Sequence, residues 1–106
     1  MKQVLPKGEY ELITDLVKFT IKQEHLEEAI EQIKELAIHI LDEEACPMIK
    51  VFQSRPNANE LYMLLGWENR KAMELLRATE QSRRFRKNIN KMLTCPPEHF
   101  DWDTII

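Results

Sequence analysis

The chain has 106 residues, 43% of them apolar and 31% charged, with a formal net charge of −3. That length is one domain with a small core, burying about 65% of the surface its unfolded chain would expose. The mild acidity excludes a global attraction for nucleic acid or anionic membrane. A count of two glycines excludes a glycine-rich phosphate loop, and no apolar run approaches the ~20 residues of a membrane span.

Met1–Glu11 reads as an N-terminal extension, with Pro6 and Gly8 marking irregular backbone. It has no apolar run of the kind a signal peptide needs, so a cytoplasmic protein is expected. Leu12–Lys22 alternates as a first strand. Ile13, Val17, Phe19 and Ile21 point one way, with Asp15 the polar exception among them; Thr14, Leu16, Lys18 and Thr20 point the other. Glu24–Glu44 has helical spacing. Leu26, Ala29, Ile30, Ile33, Leu36, Ala37, Ile40 and Leu41 make one wide apolar stripe, and His39 falls with the acidic residues on the opposite, solvated face. Cys46-Pro47 ends that helix, because the residue before proline avoids the helical region.

Met48–Ser54 is a second strand and Glu60–Trp67 a third, joined as a hairpin by the turn-rich Arg55–Asn59. In the third strand Leu61, Met63, Leu65 and Trp67 share one face, and Tyr62 and Leu64 the other. Glu68–Ala78 predicts a second helix with Ala72, Met73, Leu75 and Leu76 inside. Glu80–Leu93 predicts a third that buries Ser82, Phe85, Ile89, Met92 and Leu93, stopped by Pro96-Pro97. Glu98–Ile105 alternates as a fourth strand, with Phe100, Trp102 and Thr104 on one side and His99, Asp101 and Asp103 on the other.

The order β-α-β-β-α(α)-β is the ferredoxin-like, α+β arrangement: a four-stranded antiparallel sheet with its helices on one face. Some of Leu16, Ile49, Val51, Tyr62 and Leu64 must then face away from the helices. They are too apolar for open water, so pairing of two sheets in a homodimer is expected.

The chemistry-bearing residues are sparse. Cys46 and Cys95 form no CxxC pair and no zinc-ligand set, and read as two partly buried thiols in a reducing compartment. His99, Asp101 and Asp103 share a strand face, but same-face neighbours ~7 Å apart do not close on one ion. They read as the polar face of an edge strand, so no metal is expected. The cluster Arg77, Arg83, Arg84, Arg86, Lys87 and Lys91 reads as a solvated face paired with acidic neighbours rather than as a nucleic-acid site. Trp67, at the junction of a strand and a helix, either floors a pocket or closes the core.

Several segments together carry a family resemblance. Glu44-Ala45-Cys46, the strand Met48–Ser54, the loop Arg55–Asn59, Leu61–Trp67 and the acidic Glu68 follow one another without a gap. Ala78–Phe85 and Pro96-Pro97-Glu98 add to them. Over about Val17 to Thr104 the chain resembles the antibiotic biosynthesis monooxygenase family of the dimeric α+β barrel superfamily. The resemblance implies a cofactor-independent monooxygenase acting on a small aromatic or quinol-type molecule, in a pocket between sheet and helices. It favours Trp67 as a pocket residue; Tyr62, Asn69, Arg83 and Phe85 are the candidates to line the pocket with it, and Arg84, Arg86 and Asp15 further polar candidates, though the polar candidates form no recognisable constellation. The alternative with the same fold is a non-catalytic, dimeric small-molecule binding or stress-related module. The chain also departs from the family pattern. Gln81 stands where the family often has histidine, Ser82 where it has phenylalanine, and Val17 where related haem-degrading enzymes have asparagine. Those enzymes also use a helical histidine that has no counterpart here, so haem is not implied and no cofactor is expected.

Overall fold

A computed structural model describes residues 12–102 and Ile105. The extension proposed for residues 1–11, and Asp103 and Thr104 of the expected last strand, lie outside the described residues. Strands β1 (Ile13–Thr20), β2 (Met48–Gln53), β3 (Glu60–Trp67) and β4 (Glu98–Trp102) form one sheet in the order β2-β3-β1-β4. Every neighbouring pair is antiparallel. Helix α1 (Leu26–Leu41) follows a short 3-10 turn at Gln23–His25, and helices α2 (Arg70–Arg77) and α3 (Glu80–Asn90) connect β3 to β4. The ferredoxin-like α+β arrangement read from the sequence is the fold.

The register between the two central strands decides which side chains meet the helices. Ile13 lies opposite Trp67, Asp15 opposite Leu65, Val17 opposite Met63 and Phe19 opposite Leu61. Directly opposed residues share a face, so these eight point together. On that side Val17, Phe19, Leu61, Met63, Leu65 and Trp67 join Ala29, Ile33 and Ile40 of α1 and Phe85 and Ile89 of α3 in one core. Phe19 and Phe85 meet edge to face, with ring centroids 5.8 Å apart and planes at 76°, the arrangement the ring quadrupole favours. The end of β1 is clamped from both sides. Ile21 N–H donates to the Asn59 carbonyl at 2.9 Å, and Lys22 N–H to the Met92 carbonyl at 2.8 Å.

None of the described helices lies over the opposite face of the sheet. Leu16, Leu64 and Phe100 lie side by side there across β3, β1 and β4. Phe52 and Trp102 flank them at 47% and 53% exposure. Toward the other end of the same face Lys18 pairs with Glu60 at 3.2 Å, and the Tyr62 hydroxyl donates to Glu60 at 3.4 Å. Of the residues expected on this side, Leu16, Tyr62 and Leu64 are there, whereas Ile49 and Val51 share the helix-facing register with Leu65 and Met63.

The helices are shorter than their hydropathy suggests. Helix α1 stops at Leu41, whose side chain is 64% exposed, because it lies about 100° round the helix from the buried Ile40. Leu75, expected inside, is 63% exposed for the same reason, one position before the buried Leu76. Cys95 is exposed rather than partly buried, and Cys46 is buried, where loss of solvent pushes its thiol up to about 11. Side-chain caps set both helix starts between β3 and β4. Asn69 Oδ1 accepts from Ala72 N–H at 2.8 Å, and Thr79 Oγ1 accepts from Ser82 N–H at 3.3 Å.

Asn69 is therefore a capping residue, and its replacement tests that role against a ligand role. Asn69→Ala is expected to lower unfolding stability by about 1 kcal/mol in urea titrations, with Asn69→Asp restoring most of it. A loss of ligand binding at unchanged stability would contradict the assignment.

Candidate functional site

Between the sheet and the three helices lies a cavity of about 260 Å³. Its floor is the helix-facing side of the central strands, with Val17, Met63, Leu65 and Trp67. Its roof comes from Leu36 and Ile40 of α1, Met73 and Leu76 of α2, and Phe85 and Ile89 of α3. The walls are thus mainly aliphatic and aromatic, with few polar groups among them, the composition typical of small-molecule sites.

Trp67 is 1% exposed, so it both closes the core and lines the cavity. Its Nε1–H is buried and has no hydrogen-bond partner among the described residues. A buried indole donor usually finds an acceptor, and one left unmatched calls for an explanation.

The polar lining comes from Asp15, His99, Arg77, Arg86, Asn90 and Ser82. Asp15 sits half-buried on the apolar face of β1, and its position follows from strand alternation alone. Burial pushes its carboxyl above the ordinary range, and Asp101 adds to the rise, while His99 and Arg77 pull the other way. Asp101 lies directly opposite Asp15 in the β1–β4 register, and His99 opposite Val17. The His99–Asp101 side of β4 is therefore the helix-facing side, and it brings an imidazole to the cavity. β4 is an edge strand and both residues are exposed, as expected; the register adds that His99 lines the cavity. Arg77 ends α2, and Arg86 Nη2 donates to its backbone carbonyl at 2.8 Å. Ser82 is buried, with Thr79 Oγ1 3.1 Å from its hydroxyl.

Of the residues singled out from the sequence, Trp67 and Phe85 line this cavity, as do Asp15 and Arg86. Tyr62 does not: it lies opposite Lys18, on the face away from the helices, and its hydroxyl is engaged by Glu60. Asn69 is occupied as the α2 cap. Arg83 is exposed on α3 and is not among the lining residues, and Arg84 is held outside by Glu80 at 2.9 Å. His99, Arg77, Ser82 and Asn90 were missed. The alternation of β4 already separated His99 from Phe100, but only pairing with β1 shows which of the two faces the helices. His39 is a further correction. It is half-buried rather than solvated, with its Nε2 buried and unpartnered among the described residues, in a small polar cleft with Gln32, Gln81 and Arg84. Among the described residues no three His, Cys, Asp or Glu side chains are placed to hold a metal ion, and no helix is long and apolar enough to cross a membrane.

The fold agrees with the comparison to known proteins. The model of the family described as Antibiotic biosynthesis monooxygenase matches residues 12–88. The chain belongs to that family. No curated protein matches it. Among solved structures it is similar to a conserved protein from Methanosarcina mazei, with 21% identity, a TM-score of 0.86, and coverage of 92% of this chain and 96% of that one. A structure described as an antibiotic biosynthesis monooxygenase aligns at 19% identity with a TM-score of 0.83, covering 89% of this chain and 99% of its own. A conserved protein of unknown function from Bacteroides thetaiotaomicron aligns at 22% identity with a TM-score of 0.77, covering 88% and 99%. At these identities the likeness is one of fold.

The buried carboxyl gives a stability prediction with a definite sign. Its pKa is higher in the folded chain than in the unfolded one, so the fold binds the proton more tightly. Stability is lost as pH rises from the ordinary carboxylate range through the raised value, and the penalty is complete above it. Asp15→Asn should therefore unfold at higher urea concentration than the parent at about pH 7, with the gain vanishing at about pH 3. An equal gain at both pH values would show that desolvation of the charge is not the cause.

Proposed function

We propose that the protein is a cofactor-independent monooxygenase for a small aromatic, phenol- or quinol-type substrate bound in the cavity between sheet and helices. The observation that carries the reading is one ionisable carboxyl, Asp15, set in the apolar wall of a cavity that Trp67 and Phe85 also line. Family membership supports it.

In this reading the substrate is its own reductant. A flat ring lies against Trp67 and Phe85, and Asp15 accepts the phenolic proton; its raised basicity makes it a better acceptor than an exposed aspartate. The phenolate then gives one electron to dioxygen. The superoxide so formed joins the ring radical at a carbon ortho or para to the oxygen that carries hydrogen, making a C–O bond and a hydroperoxide once a proton is taken up. Loss of the proton on that carbon and cleavage of the O–O bond release water and leave a quinone. One oxygen atom ends in the product and one in water, with no further reductant. The protein's part is to exclude water, hold the ring and stabilise the phenolate.

The open sheet face supports a second part of the reading, a homodimer. Leu16, Leu64 and Phe100, with the exposed Phe52 and Trp102, form an apolar surface that a second copy of the same face would cover in a two-fold contact. Sedimentation at micromolar concentration is expected to give twice the 12.6 kDa chain mass. Leu64→Lys should shift it to the monomer, and a monomeric parent chain would overturn the proposal.

Oxygen uptake tests the chemistry. A panel of small phenols and quinols should be consumed with stoichiometric dioxygen, and Trp67→Phe should alter the rate. Asp15→Asn should lower kcat/KM by about a hundredfold or more and remove the acid limb of its pH profile. That limb reflects deprotonation of Asp15, so activity rises with pH through a value above the ordinary aspartate range. Ligands that quench Trp67 in a Trp102→Phe background without any oxygen uptake would instead favour the non-catalytic binding module.

A further inference from the structure

We propose that the ligand of the cavity is an aromatic acid, a planar molecule of one or two rings whose carboxylate is held at the cavity rim by Arg77 and Arg86. The proposal rests on reading the cavity as an aromatic-binding site, and adds the charge and size of what enters it.

Arg77 and Arg86 both line the cavity, from the end of α2 and the middle of α3. Neither has a carboxylate within 4.0 Å among the described residues, whereas Arg84, one turn along the outside of α3, is paired with Glu80. Two unpaired guanidiniums beside one another repel, and with Arg83 nearby the proton affinity of Arg86 is lowered by desolvation and by both neighbours. Solvated arginines relieve such repulsion by swinging apart. Here Arg86 is held in place, because its Nη2 donates to the backbone carbonyl of Arg77 at 2.8 Å. That carbonyl lies in the last turn of α2, where it has no intrahelical donor. One nitrogen of the fork is thus used on a neutral acceptor, and among the described residues no carboxylate stands within ion-pair distance of Arg86.

Two cations lining an apolar cavity, one of them tethered, select a ligand with an apolar body and an anionic head. Guanidinium groups recognise carboxylates through paired, charge-assisted hydrogen bonds. The volume sets the size: 260 Å³ is below the ~300 Å³ at which most small-molecule pockets begin. One or two fused rings fit that limit better than a larger polycycle. Asp15 lines the strand side of the same cavity, so a carboxylate is directed to the helical side and a hydroxyl is left for Asp15.

Fluorescence quenching of Trp67 in the Trp102→Phe background tests this with hydroxynaphthoate and its neutral parent, naphthol. The acid should bind about ten-fold tighter or more, and the preference should shrink as salt is raised to about 0.15 M and beyond. Arg77→Gln and Arg86→Gln should each reduce the preference, and the double variant should abolish it. Arg86→Lys should retain only part of it. Arg83→Gln removes the same charge from outside the lining and should keep it. Equal binding of the two probes by the parent chain, or a preference that survives in the double variant, would overturn the proposal while leaving the aromatic site standing. Failure of both probes to bind would overturn both.

Discussion

The register of β1 against β3 is the constraint on which the remaining structure depends. Eight consecutive pairs, from Ile13–Trp67 to Thr20–Glu60, bind the two central strands along their full lengths. Because side chains alternate with a period of two, a slip by one residue would exchange the faces of the strand that slipped. The buried row of Leu61, Met63, Leu65 and Trp67 would turn away from the helices, and Tyr62 and Leu64 would replace it. The clamp at the far end of β1, where Asn59 and Met92 accept from Ile21 and Lys22, opposes such a slip. Burial of Trp67, Ile21 and Leu61, each 2% exposed or less, adds to the same restraint.

That register also explains why a carboxyl can stand in an apolar wall. Asp15 has the parity of Ile13 and Val17, so the backbone directs it toward the helices whatever its chemistry. Its desolvation is a cost the fold bears, and the apolar side chains around it supply the compensating burial. A polar group at such a position gives up stability for a specific environment, a trade common at functional sites. The same logic applies to Trp67. Its ring satisfies the core, but its Nε1–H is left without a partner among the described residues.

Much of the fold was legible because its strong signals were local. The bounds of β3 and the apolar stripe of α1 follow from periodicity, and the hairpin from Arg55–Asn59. The parity of β3 also separated Tyr62 from Trp67, so placing both at one pocket conflicted with a signal already in the sequence. Other features depended on pairing rather than pattern. Alternation separates Phe100 and Trp102 from His99 in β4 without saying which side meets the helices. Pairing decides it, because β4 aligns His99 with Val17 and Phe100 with Leu16. No property of the fourth strand alone contains that information. Arg77 and Arg86 were likewise read as members of a charged run, since a one-dimensional pattern does not show which cations on two successive helices converge.

The orientation of β4 links the two sides of the sheet. An edge strand that turned its aromatic residues toward the helices would fill the end of the cavity and leave the open face more polar. By turning His99 to the helix-facing side instead, β4 keeps the cavity open and polar at one end. It also adds Phe100 and Trp102 to the surface already formed by Leu16 and Leu64. The pair of aromatic rings, 6.0 Å apart, extends that surface to the sheet edge. A polar cavity mouth and an apolar outer face are thus two consequences of one alternation. Pairing two copies over the outer face would hold β4 in its register and so fix the position of His99. In this way the proposed assembly and the proposed site become physically coupled, although they lie on opposite sides of the same sheet.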